Sequence, residues 1–276
     1  MLSPQDPNVE LLKAVLLGFI QGATEFLPVS SSGHLVLGSQ LLNFHDEGIL
    51  FDVLVHVGTL VSVLIVFRSE ISQMVQAPFR WLKGDRSEPN NHFLRWDLYI
   101  ILATIPAAVF GLLGKNHLSS LFGSALLVCI MLAFTGVMMI ITRYLPDRNV
   151  TLKSGQALLI GIAQALAIMP GLSRSGTTIF AGMLLGINRE TVARFSFIMS
   201  IPAIMGAALI SIGDALKNPP EAGSLINLGF GTLTASITGY FAIILLLDVV
   251  KKNRLQWFGY YCITVSIIGI LIISLL

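Results

Sequence analysis

Long apolar stretches separated by short polar ones run along nearly the whole chain. Six of them, near residues 50–67, 97–114, 121–142, 195–213, 225–250 and 256–276, reach the roughly 17–25 residues that carry a helix across a hydrocarbon core of about 30 Å. Two more, near 11–43 and 156–188, carry polar breaks in their middles: PVSSSGH at 28–34 and PGLSRSG at 170–176. Pro28 and Gly33 in the first, and Pro170, Gly171 and Gly176 in the second, are expected to interrupt helical hydrogen bonding and leave backbone polar groups loose. Such backbone survives at membrane depth only inside protein or beside a wet cavity. Each broken stretch is therefore predicted as a re-entrant helical hairpin that goes in and returns on one side.

The basic residues orient this arrangement. Of the 17 Lys and Arg residues, Arg174 falls in a break and only Lys13, Lys115 and Lys217 fall on one side. The rest occupy the connections at 68–96, 143–155, 188–194 and 251–255, which the positive-inside rule makes cytoplasmic. Both termini are then outside, and the two hairpins enter from opposite faces. Shifting the first hairpin by 143 positions lays Gly18 on Gly161, Gln21 on Gln164, Ser30 on Ser173, Ser32 on Ser175 and Gly33 on Gly176. Hairpin followed by three spans occurs twice, which predicts an inverted repeat of residues 1–142 and 143–276 in a single membrane domain. In such architectures the site lies near the midplane, where broken helices of the two halves meet.

Composition agrees: 54% of the 276 residues are hydrophobic and 12% charged, far from the globular norm of about 25% charged. A net charge of +2 with scattered basic residues gives no nucleic-acid partner. No basic region precedes the first apolar run, so no removable signal peptide is expected. Cys129 and Cys262 fall inside apolar runs and read as small packing residues. His45, Asp46 and Glu47 read as a solvated outer loop.

Candidate chemistry concentrates in the breaks. Gln21 and Glu25 stand four apart, on one helix face, and that face leads to Ser30, Ser31, Ser32 and His34. A carboxylate in a membrane segment marks function by default, with a packing ion pair as the bland alternative. Gln21 can equally be interhelical glue, and Ser32 can be a helix cap. Arg174 needs an anion, and its planar fork suits phosphate or carboxylate oxygens; a permanent pair with Glu25 is the other reading. His56, alone in an apolar run, reads more readily as a packing residue than as a catalyst.

These residues carry a resemblance. QGATEFLPVSSSGH at 21–34 and PGLSRSGTT at 170–178 resemble the two signatures of the bacterial undecaprenyl-pyrophosphate phosphatases of the bacitracin-resistance type. FDVLVHVGTL at 51–60 and the order of spans extend the likeness over the whole chain. The resemblance implies a hydrolase that converts a C55 polyprenyl pyrophosphate to the monophosphate, recycling the carrier for cell-wall synthesis. It assigns Glu25, Ser31, His34 and Arg174 as the working residues, with Gln21, Ser30, Ser32, Gly33, Ser173, Ser175, Gly176 and Thr177 binding substrate. Expected roles are Ser31 as nucleophile, Glu25 as base, His34 as acid, and Arg174 with backbone N–H groups balancing phosphoryl charge. A divalent cation, Mg²⁺ or Ca²⁺, is expected with Glu25 as its protein ligand, although Gln21 removes a second carboxylate.

The expected setting is the bacterial inner membrane, with the pocket opening to the outer, periplasmic face because that hairpin carries Glu25 and His34. Expected partners are the lipid pyrophosphate, the membrane and, in a homodimer, a second copy of the chain. The rival reading is an inverted-repeat transporter of an anionic or lipid-phosphate substrate.

Overall fold

A computed structural model describes residues 7–42, 48–122, 124–217 and 222–275; the loop with His45, Asp46 and Glu47 lies outside them. Helices make up the described chain, and its one β-type contact is an isolated bridge between Val150 and Ile187. The first broken stretch folds as α1 (Pro7–Glu25) and α2 (Ser31–Leu42), and the second as α7 (Ser154–Leu166) and α8 (Arg174–Leu184). Between and after them lie α3 (Gly48–Val66), α4 (Arg68–Leu82), α5 (Glu88–Phe122), α6 (Ala125–Ile141), α9 (Arg189–Lys217), α10 (Ala222–Lys251) and α11 (Gln256–Leu275).

Pro28, Pro170 and Gly171 fall in the breaks, whereas Gly33 and Gly176, also expected to interrupt the helices, lie inside α2 and α8, where a helix tolerates a glycine at modest cost. Pro28 supplies no N–H to continue α1, and Ser30 turns the chain with a φ of 67° so that α2 can start at Ser31. In the second hairpin Gly171 takes a φ of 89°. A Cβ on Gly171 would stand 2.2 Å from the Val128 carbonyl oxygen of α6. Only glycine meets both demands.

Four described helices are long and apolar enough to cross a membrane, at Glu88–Leu113, Ala125–Tyr144, Leu225–Lys251 and Gln256–Leu275. A fifth crossing is counted if α3 and α4, which meet at 81°, form one broken span. The protein is thus a multi-span membrane protein. Its lipid-ready surface is visible on α5, where Leu98, Ile101, Ile105 and Leu112 are exposed; in lipid an apolar surface needs no cover.

The structure adds to the sequence reading around residues 68–96. That stretch, expected to be an extramembrane connection, is largely helical: α4 fills its first half and α5 begins at Glu88, nine residues before the apolar run at 97. Apolarity marks the part of a helix that meets lipid, while the helix itself continues wherever its backbone bonds do. At 35 residues, α5 is about 52 Å long at 1.5 Å per residue, longer than the hydrocarbon core.

Packing draws the two hairpins together. α1 lies along α10, α7 along α5, α3 along α10 and α9, and α6 along α11. The seams are close: a Cβ on Gly18 would stand 2.2 Å from the Gly231 oxygen of α10, and one on Gly161 would stand 2.4 Å from the Ala103 oxygen of α5. Phe26, fully buried in the first tip, meets Phe197 of α9 edge to face with centroids 5.5 Å apart, a favoured aromatic geometry. It fixes the end of α1, where Glu25 sits.

Candidate active site

The two tips close with the same local bonds. Ser30 Oγ accepts from Gly33 N at 3.3 Å and lies 3.3 Å from Ser32 Oγ. Ser173 Oγ accepts from Gly176 N at 3.1 Å and lies 3.1 Å from Ser175 Oγ. The His34 and Thr177 amides donate to the Ser30 and Ser173 carbonyls at 3.2 and 2.8 Å. Each serine therefore caps its helix, satisfying an N–H that the first turn leaves free. α11 steadies the first tip through Cys262 Sγ, 3.6 Å from the Pro28 oxygen. α6 steadies the second: Thr135 Oγ1 donates to Gly171 O at 3.3 Å and accepts from Ser173 N at 3.0 Å. Ser175 Oγ donates to the Leu27 oxygen at 3.2 Å, joining tip to tip.

Glu25 is where the tips meet. Its side chain is 6% exposed. Oε2 accepts from Ser31 Oγ at 2.6 Å and from Gln21 Nε2 at 3.0 Å. Oε1 takes the Arg174 guanidinium. Ser31 and Arg174 are the first residues of α2 and α8, so both helices aim their positive ends at the carboxylate, a setting that favours anions. Arg174 also reaches the Ser196 carbonyl of α9 at 3.5 Å. Its side chain stays 17% exposed, open to an incoming anion.

His56 of α3 completes the cluster, with Nε2 3.5 Å from Glu25 Oε2. Its Nδ1 lies 2.6 Å from the Asp52 backbone oxygen; a carbonyl only accepts, so Nδ1 carries a proton and Nε2 is the exchangeable position. His34 is placed differently. Its Nδ1 lies 2.8 Å from the Ser30 oxygen and its Nε2 2.8 Å from Tyr261 Oη, with the rings stacked at 5.6 Å. Both ring nitrogens are engaged, and His34 is not among the residues lining the cavity described next.

A cavity of about 620 Å³ opens at this cluster. Its lining is polar around the Glu25 cluster, through Ser31, Asp52, His56, Ser173 and Arg174, and mainly apolar where α5, α9 and the second tip contribute Ala107, Leu112, Ile168, Leu172, Pro202 and Ile204, with Thr104, Gln164 and Ser200 among them. Ser30 and Ser32 also reach it, whereas Gln21, Gly33, Ser175, Gly176 and Thr177 stand behind the lining. A head with several negative oxygens fits the polar part and a hydrocarbon tail the mainly apolar part. Sequence reasoning did not raise Asp52, and weighed His56 but read it as a packing residue. Their spacing of four in an apolar run, the same that drew attention to Gln21 and Glu25, was the available signal.

The donor set does not suit a resident divalent cation. Both Glu25 oxygens are already engaged, and among the described residues no three of His, Cys, Asp and Glu are grouped to hold a metal.

Comparison with known proteins agrees with the geometry. The family model described as Bacitracin resistance protein BacA matches residues 14–268. A protein of Halothermothrix orenii named undecaprenyl-diphosphatase is 40% identical over 272 residues, covering 97% of this chain and 98% of its own. Its namesake from Desulforapulum autotrophicum is 41% identical over 273 residues, covering 95% and 98%. Another from Methanobrevibacter smithii is 40% identical over 273 residues, covering 94% and 96%.

Proposed function

The chain belongs to the bacitracin resistance protein BacA family, and we propose on that premise how its residues hydrolyse undecaprenyl pyrophosphate to undecaprenyl phosphate and inorganic phosphate. The reaction returns the lipid carrier to cell-wall synthesis. One observation carries the residue assignment: a single buried carboxylate holds the Ser31 hydroxyl at 2.6 Å and the Arg174 guanidinium together. That joins a nucleophile, its base and an anion-binding fork in one place.

The terminal phosphate sits between the tips, with Arg174 sharing its fork between Glu25 and phosphate oxygens. Ser31 Oγ attacks phosphorus as its proton passes to Glu25 Oε2. The anhydride P–O bond breaks, and the lipid monophosphate leaves with a proton from His56 Nε2. Water then attacks the phosphoserine, giving its proton to His56; the P–Oγ bond breaks, Ser31 regains its proton from Glu25, and inorganic phosphate departs. His56, at the cavity, suits the acid role better than His34, which holds the tip against α11. Mg²⁺ or Ca²⁺ would arrive on the pyrophosphate and keep most of its waters; no step above depends on it.

The wider arrangement follows from the same reading. Six crossings and two re-entrant hairpins form an inverted repeat of residues 1–142 and 143–276 in the inner membrane, with the cavity open to the periplasmic face. The matching tip bonds support the repeat, as does the paired approach of Gly18 to α10 and Gly161 to α5. A cysteine at Ser30, in a variant lacking Cys129 and Cys262, should react with an impermeant thiol reagent on intact cells; reaction only in inverted vesicles would reverse the orientation.

Phosphate release from a polyprenyl pyrophosphate by the purified protein in detergent tests the phosphatase reading. Broken helices also suit a transporter. A transporter, however, shows no turnover without two compartments, so absence of phosphate release would favour it.

A further inference from the structure

Gln164, in the last turn of α7, lines the cavity, yet it has no part in the chemistry above. It is 3% exposed, and both its Oε1 and its Nε2 are buried without a hydrogen-bond partner. Exchanging the two amide atoms changes nothing, because both are orphaned. Buried polar groups in folded proteins are almost always satisfied, and an exception calls for a missing ligand or water.

The repeat shows why this amide is free. Its counterpart Gln21 spends Nε2 on Glu25 at 3.0 Å, four residues along the same helix. The residue four beyond Gln164 is Ile168, which accepts no hydrogen bond. No other group of the cavity lining lies within hydrogen-bond reach of the amide either. Thr104 and Ser200 give their hydroxyl protons to the Ile100 and Phe197 carbonyls, each at 2.7 Å. They present lone pairs only. Ala107, Ala108, Leu172 and Ala203, which line the same cavity, bring no side-chain donor. Among the described residues on this wall, Gln164 Nε2 is the side-chain donor still uncommitted.

Resting on the phosphatase reading above, we propose that Gln164 binds the phosphate that stays on the lipid. The transferred phosphate must lie against Ser31 and Arg174, and the tail must follow the apolar wall. The second phosphate bridges the two, and its oxygens need a donor there. A neutral amide supplies one without a charge that would hold the monophosphate product in the site.

Farnesyl pyrophosphate as substrate, with farnesyl monophosphate and inorganic phosphate as inhibitors, separates the two phosphate positions. Gln164→Met keeps the length and removes an unmet amide, so its melting temperature should hold or rise. Its kcat/KM should fall about tenfold or more, the effect of one hydrogen bond to a charged group. The inhibition constant for farnesyl monophosphate should rise by a similar factor, and that for inorganic phosphate should not move. Gln164→Glu keeps the shape, repels the phosphate and should lose more. An unchanged constant for farnesyl monophosphate in both variants would overturn the proposal, as would a change confined to inorganic phosphate. Should the wild type release no phosphate, the phosphatase reading fails by itself. The thermal shift produced by farnesyl monophosphate still reads the contact: lost in Gln164→Met it supports the proposal, and retained it overturns it.

Discussion

The tips of the two hairpins are built alike and do different work. Serine caps at 30 and 173, hydroxyl pairs with residues 32 and 175, and amides closing at 34 and 177 repeat bond for bond. The first residue of the returning helix is Ser31 in one and Arg174 in the other, and both reach the same carboxylate. Where the first hairpin has Glu25, the second has Ile168. The comparison teaches that the shared bonds make a scaffold, while the side chains proposed to carry the reaction are a few unshared ones on it.

Breaking the comparison at its centre should have the largest effect. Glu25→Gln keeps the shape and removes the base, and should lower turnover by roughly 10²-fold or more. Adding Ile168→Glu should not restore it, because the second tip has Arg174 where Ser31 would be required. Phosphate release by the double variant at wild-type rate would mean that the tips are interchangeable.

Arg174→Lys comes next. It retains the charge but not the planar fork that spans a carboxylate and a phosphate, and most of the activity should go while the protein stays folded. Near-normal turnover would leave Arg174 as a packing partner of Glu25 alone.

The histidines give a smaller and more pointed contrast. His56→Gln should slow turnover about tenfold or more, within reach of general acid–base contributions, whereas His34→Gln should mainly lower the melting temperature by loosening the bond to Tyr261. Reversed outcomes would return the acid role to His34.

The smallest effect sharpens the likeness itself. Ser30→Ala and Ser173→Ala each remove one cap, and each should cost about 1 kcal/mol of stability. A clear inequality between their thermal midpoints would show that the two scaffolds are not equivalent.

Much of this was readable in the chain because membrane burial makes polar residues conspicuous. Pro28 and Pro170 announced the breaks, the 143-residue shift paired the caps, and Glu25 and Arg174 stood out as charges in apolar surroundings. His56 was hidden because its meaning depends on α3 packing beside α1, a contact that no local pattern encodes. His34 was placed with the catalytic residues by the family resemblance, and what sequence did not show is the contact of its ring with Tyr261, 227 positions away. The helical character of 88–96 was masked because charge there reports water, not backbone conformation. Four to five crossings rest on length and apolarity, and α9, a continuous helix of 29 residues, is where the count expected from sequence goes further.

The two glycine seams, Gly18 against Gly231 and Gly161 against Ala103, have a mechanical consequence. Backbone rests on backbone there, with a Cβ excluded at 2.2 and 2.4 Å, so at these two points no side chain can change rotamer to let the helices slide. A rocking cycle would have to part both joints and lose close contacts that lipid tails cannot match in fit. The two joints hold α1 to α10 and α7 to α5 as jaws are bolted to a frame.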